Sequence, residues 1–213
     1  LVLAGFILHL AIILIRMWPH IVGGRFLKFM MGPESLVPRP GDFIDVFANF
    51  RYFLGLGPKP SFDRWTYWEK FTYWAVFWTV PILGFSGLVL WIPEAITNVL
   101  PGWMINVAGL VHSDQALLTI GFVFLVHFFN SSLRPSKFPL DESIFTGSVP
   151  MEAYKRERPL EWARLEREGR TEEVRTQPPS RGSRFMAYLI GILGWAVGLA
   201  VLAASVAGFI ATR

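Results

Sequence analysis

Four histidines, His9, His20, His112 and His127, are the only imidazoles in a chain of 213 residues, and they fall in pairs on two apolar stretches. Along a helix the first pair spans about 16 Å and the second about 22 Å, a large part of the thickness of a bilayer core. At about 100° per residue, the first pair is about 20° off a common face and the second about 60° off. Two such helices, running parallel and facing one another, would set His9 against His112 and His20 against His127. Each meeting is a bis-imidazole clamp for a haem iron, and two stacked haems make a path for electrons across a membrane. The blander alternative is that a membrane histidine bonds helix to helix or sits at the interface.

Composition narrows the chemistry. The chain is 53% hydrophobic and 15% aromatic, with nine Trp, and its mean hydropathy is +0.42. That is the profile of a membrane protein. There is no cysteine. Iron–sulfur clusters, thiolate ligation, covalent c-type haem and disulfides within the chain are therefore excluded. Histidine is left as the main metal ligand, with methionine a possible second.

The elements that must position the histidines follow from the apolar runs. Four spans are expected over about 1–20, 68–91, 109–130 and 185–210, making one membrane domain over 1–213. The expected architecture is an all-α membrane protein, a bundle of four transmembrane helices with two stacked b-type haems. The chain opens inside an apolar run without a basic leader, which suggests that an earlier helix or domain precedes it and does not read as a signal peptide. The second span is crowded with Trp and Tyr, and Pro81, Gly84 and Gly87 favour a kink or close packing. Gly121, between His112 and His127, suits close helix packing or the approach of a flat ring. Gly194 and Gly198 form a weak packing signal in the last span.

The connection 21–67 is broken by prolines. Its stretch around Phe43, Val46, Phe47, Phe50 and Leu54 reads as an amphipathic helix lying in the interface. The connection 131–184 is densely charged, balanced in sign and reads as solvated helix; that balance excludes nucleic acid as a partner. All but one of the 20 Lys and Arg, Arg213, fall on the side of these two connections. The positive-inside rule makes that side cytoplasmic, in a bacterial inner membrane. The first and third spans then run the same way, as the haem clamps require.

Further candidate residues cluster on the charged side. Arg16 and Arg134 lie within two turns of His20 and His127, where a haem propionate needs cations. Trp65, Trp68 and Trp74 offer flat apolar walls for a quinone ring, with Glu69 and Lys70 beside them as proton donor or acceptor. For Glu69 and Lys70 the plain alternative is an interfacial pair inside a tryptophan belt.

The stretch PSFDRWTYWEKFTYWAVFWTVPILGFSGLVLWIP resembles the second half of membrane cytochrome b subunits of the formate dehydrogenase gamma and thiosulfate reductase type. Those subunits carry Gln-Lys followed by an aromatic pair, and here Glu69-Lys70 and Tyr73-Trp74 hold those places. The stretch HFFNSSLRPSKFPLDESIFTGSVPMEAYKRERPLEW is similar to a subgroup that partners multihaem c-type cytochromes. The resemblance covers roughly residues 9–165. It implies two haem b groups, exchange of electrons with menaquinone or ubiquinone, and an iron–sulfur or multihaem cytochrome c partner on the outer side. Glu69 replaces the usual Gln, and His20 stands in for a ligand that the family draws from an earlier helix. The resemblance thus implies a di-haem subunit of a respiratory complex. A non-redox membrane anchor and a histidine-relay channel for protons or metal ions are the alternatives from other classes.

Overall fold

The computed structural model describes residues 2–211. Leu1, at the start of the first expected span, and Arg213, the lone charge opposite the others, lie outside them. Among the described residues the chain is all helix, with no strand. Four helices are long and apolar enough to cross a membrane, so this is a multi-pass membrane protein.

In chain order, α1 spans Val2–Val22, and a turn at Gly24 leads to the short α2, Phe26–Met30. The amphipathic α3 is Pro40–Phe53 and the second long helix, α4, is Tyr67–Trp91. After α5, Pro93–Thr97, comes α6, Trp103–Phe122, which runs without a break into a π-helical segment, Val123–Leu133. The short helices α7 (Ser143–Thr146), α8 (Met151–Glu157) and α9 (Pro159–Glu168) and a 3₁₀ turn precede the last span, α10, Arg181–Ala211. The third span begins six residues before its expected start. The reason is local: Trp103–Ala108 is apolar but for Asn106, free of Pro and Gly, and continues the helix outward.

α4 is the hub. It packs along α6 and also carries α1 and α3, whereas α1 has no extensive interface with α6. The start of α4 is fixed by Thr66. Its hydroxyl accepts from the Glu69 backbone N–H at 3.3 Å, while a Glu69 carboxylate oxygen accepts from the Thr66 N–H at 2.9 Å. That reciprocal cap satisfies donors that would otherwise be orphaned at a membrane surface. At Gly84 a side chain would come within 2.8 Å of Leu3, so glycine lets α1 sit close on α4.

α3 lies on α4 with its polar face inward. The ammonium of Lys70 is 1% exposed and donates to both oxygens of Asp42 at 2.8 Å. Asn49 donates to the Tyr67 hydroxyl at 2.8 Å. The opposite face, with Phe43, Ile44, Phe47, Phe50 and Leu54, is exposed, as an interfacial helix requires.

The charged connection 131–184 departs from its expected role as a solvated face. It folds back over the charged end of α4. Arg158 meets Glu69 at 2.6 Å, Arg64 meets Glu161 at 3.0 Å, and Arg164 meets Asp63 at 3.3 Å. Glu161 is 2% exposed, and Leu165 and Phe62 are buried beside it. Apolar residues spaced through the charged run supply the surface that docks. The start of α10 is tied to the same cap by Arg184 and Tyr188, which both donate to Glu142.

Breaking the Lys70–Asp42 pair from one side leaves a buried charge without a partner. Lys70→Ala should therefore destabilise the chain in detergent by about 3–5 kcal/mol, whereas Lys70→Met combined with Asp42→Leu should recover most of that loss. Denaturant unfolding of the three chains checks this, and equal stability of the single and double variants would refute it.

Candidate functional site

A cavity of about 580 Å³ opens at the charged end, between the start of α4, the π segment and the folded-back cap. His127 lines it together with Trp65, Trp68, Glu69, Tyr73 and Arg134. Lys137, Tyr154 and Arg158 complete its polar rim. The volume falls in the range of ordinary ligand and cofactor pockets. The cavity therefore gathers His127, Arg134, Trp65, Trp68 and Glu69 of the expected site residues.

His127 reaches it by way of the π segment. The run ends with the Arg134 N–H donating to the Phe129 carbonyl at 2.8 Å, a five-residue step. A turn closed by such steps advances about 80° per residue, so the four steps from Val123 to His127 bring the His127 imidazole to within about 20° of the His112 face. A straight α-helix would leave it about 60° away. The side chains of Asn130 and Ser131 donate to the carbonyls of Val126 and Phe128, taking up acceptors within the wide turn. No sequence period announces this segment; the polar Asn130-Ser131-Ser132 after an unbroken apolar run is its one local sign.

His112 sits near the uncharged end with its ring held on α4. Its Nδ1 is 3.0 Å from the Ser86 hydroxyl oxygen, which donates its own proton to the Ile82 carbonyl at 2.5 Å. Nδ1 is therefore engaged by Ser86, and Nε2 makes no hydrogen bond with a described residue. That is how a ligating histidine is usually oriented, by a hydrogen bond at the nitrogen that does not ligate. Gly87 makes the close approach possible, since a Cβ there would stand 3.1 Å from the imidazole. The polar Gln115 and Thr119 follow on the same helix, where the Gln115 amide donates both to Thr119 and to Thr79 of α4.

The histidines of α1 are placed differently. The Nε2 of His9 is 3.3 Å from the Tyr73 hydroxyl and its ring also meets Phe77. His20 stacks on Phe29 of α2 with ring centres 4.1 Å apart. The expected meeting of His9 with His112 is not formed. His9 contacts α4 at Tyr73 and Phe77 and His112 contacts it at Ser86, and the step from Phe77 to Ser86 is about 13 Å of helix rise. The cause is the register of α1 on α4, fixed by Leu3 at Gly84 and Phe6 at Phe77. His20 and His127 both lie at the charged end, but His20 stacks on Phe29 and does not line the cavity that His127 lines.

Electrostatics at the cavity is balanced but incomplete. Arg134 pairs with Glu157 at 3.7 Å, yet its Nε is buried with no hydrogen-bond partner. The Tyr154 hydroxyl is also buried without a well-formed hydrogen bond. Burial and the adjacent Glu161 carboxylate hold its phenol protonated, well above its ordinary range. Lys137 bridges Asp141 at 2.9 Å and Glu157 at 3.5 Å. The buried Nε edge of Arg134, lacking a partner, suits an anionic group entering from the cavity. One imidazole, indole walls and cations, the group types a haem calls on, gather at this end.

Three expected residues lie elsewhere. Lys70 is sequestered by Asp42 and does not line the cavity. Trp74 donates through its indole to the Leu36 carbonyl at 3.0 Å, strapping the 32–38 loop to α4. Arg16 is exposed on α1 and makes no ion pair with a described residue. Trp65, although in the cavity wall, also donates to the Glu34 carbonyl. The cap residues Tyr154, Arg158 and Lys137 went unanticipated, because their approach depends on the long-range folding back of the charged connection.

No family model, curated protein or solved structure matches this chain.

Asp141 gives the cavity floor a pH dependence. Burial alone would raise its carboxyl, but the Ser143 hydroxyl and Lys137 outweigh burial and hold it below the usual carboxylate range. The stabilisation is thus present above the unfolded value of 3.8 and is lost as pH falls through the lower folded value. Asp141→Asn should speed pepsin cleavage near Phe138 and Leu140 severalfold at about pH 5, with a smaller effect at about pH 2, as protonation of the wild-type carboxyl removes the difference between the chains. An equal effect at the two pH values would contradict this.

Proposed function

We propose that this chain is a di-haem cytochrome b subunit that carries electrons across the membrane between a redox partner on the uncharged side and the quinone pool on the charged side. The observation that carries the proposal is the third span. One continuous helix presents two imidazoles on nearly one face, His112 with its Nε2 making no hydrogen bond with a described residue and His127 in a cavity with a buried, unpartnered guanidinium edge. Bound haem would supply one-electron chemistry at the iron.

The chain's own residues do the rest. Ser86 holds the ring of His112, and the π turn aims His127. Arg134, with Lys137 and Arg158 nearby, would hold propionates at the charged end, while Arg16 would do so only by turning from its exposed position. His9 and His20, the axial ligands expected from α1, would have to leave Tyr73 and Phe29. Trp65, Trp68 and Glu69 line the same cavity and would hold a quinone at its mouth, with Glu69 exchanging protons through the cap. The charge bias supports a cytoplasmic membrane with this mouth facing the cytoplasm. Electrons crossing from an outer iron–sulfur or multihaem partner to this mouth would make the complex electrogenic.

A second reading has one observation behind it. His9 and His20 already have packing partners on α4 and α2, which favours a non-redox anchor in which histidines join helices. A reduced-minus-oxidised spectrum with a haem-to-chain ratio separates the readings. Two haems per chain are expected, falling to one in His127→Ala and to one in His112→Ala. Absence of haem from the wild-type chain, or retention of both in every single histidine variant, would sink the di-haem reading.

The quinone assignment has its own test. Trp68→Ala with Glu69→Ala should cut quinone turnover at least about tenfold through lost stacking and proton exchange, while the haem at His112, at the other end of the span, stays in place. Unchanged turnover would move the quinone to another face.

A further inference from the structure

The outer half of α6 carries a charged side chain with nothing to meet it. Leu90 of α4 lies against Gly109 of α6, so Asp114 sits about 8 Å deeper in the bilayer than the exposed Trp91 at the end of α4. His112 faces α4, and Asp114, two residues on, faces the opposite way, where it is exposed. It forms no hydrogen bond or ion pair with any described residue. Its helical neighbours Leu110, Leu117 and Leu118 are exposed too, and at Gly121, two turns along, an added Cβ would meet nothing within 4 Å. The four spans therefore leave a face of leucines around one carboxylate, with a flat place where another backbone can come close.

A carboxylate at that depth cannot be left to acyl chains; it needs a donor or a cation. Among the described residues none offers one at this level. Arg16 and Lys70 lie in the half of the membrane towards the charged end, and His112 is turned to Ser86 on the other side of the helix. A second copy packed on the same face would oppose Asp114 with Asp114. Charge complementarity therefore selects a different occupant. We propose that this face of α6 docks a transmembrane helix of another protein, and that this helix places an Arg, Lys, Asn or Gln opposite Asp114.

The inference needs only the membrane placement of α6, so it stands or falls apart from the haem reading. A photo-crosslinking amino acid at Leu117, in the full chain in its native membrane, tests it. The adduct should map to a transmembrane segment of another protein, within about a turn of a basic or amide residue. Asp114→Leu should lower the adduct yield about tenfold, the size of one interhelical hydrogen bond, and Asp114→Asn should retain most of it. The Asp114→Leu chain alone should unfold in detergent no more easily than wild type, because the carboxylate has no partner within the chain. Adducts with lipid alone or with a second copy of this chain would overturn the proposal. So would a yield unchanged in Asp114→Leu, or a chain that Asp114→Leu itself unfolds.

Discussion

The pairing of Lys70 with Asp42 is the constraint on which the charged end of the molecule depends. An ammonium at 1% exposure, one turn inside a membrane helix, is tolerable only with a carboxylate held against it, and both Asp42 oxygens stand at 2.8 Å. Asp42 is in the first turn of α3, so the ion pair pins the start of that helix to the start of α4, and Asn49 with Tyr67 pins its middle. With its polar face consumed, α3 has only its phenylalanines left to present, and it must lie along the lipid interface. The neighbouring Glu69 is then free to look the other way, where Thr66 and Arg158 hold it at the cavity. Two adjacent residues that form a nominal interfacial pair in sequence thus serve opposite faces of α4. One builds the platform and the other lines the site.

The charged connection obeys the same electrostatics. Glu161 is nearly as buried as Lys70, and Arg64 answers it from the segment before α4. Arg158, Arg164 and Lys137 repeat the pattern around the rim. Individually such pairs at a surface contribute little. As a network anchored by one buried carboxylate, with Leu165 and Phe62 also buried, they fix a lid of short helices over the mouth of the span pair. Arg134 and Arg164 each keep a buried Nε without a hydrogen-bond partner, and of the two it is Arg134 that lines the cavity.

Much of this was legible in the sequence. The four apolar runs are the four long helices, because length and hydropathy decide membrane helices almost alone. Phe43, Phe47, Phe50 and Leu54 declare the exposed stripe of α3 by their spacing. That His127 and Arg134 share the charged end of the third span follows from their separation of only seven residues. What the sequence could not carry was long-range. Lys70 meets a residue 28 positions earlier, and Arg158 meets one 89 positions earlier. Neither distance has a local period. The level of His9 against α4 likewise depends on Leu3 finding Gly84, a packing match between helices and not a pattern within either one.

The π segment shows how far periodicity can mislead. Counted at the α-helical angle, His112 and His127 diverge by about 60°, which weakens the case that one helix face carries both. The divergence is an artefact of assuming one helix type. The wide turn after Phe122 costs hydrogen-bond geometry, and Asn130 and Ser131 return some of it by bonding to carbonyls of the same segment. Such turns persist where a side chain's direction matters more than local stability. The side chain redirected here is His127, and the direction it takes is towards the cavity and the face of His112. In this chain the irregular stretch of helix, and not a regular one, supplies the alignment that a pair of stacked sites on a single span would need.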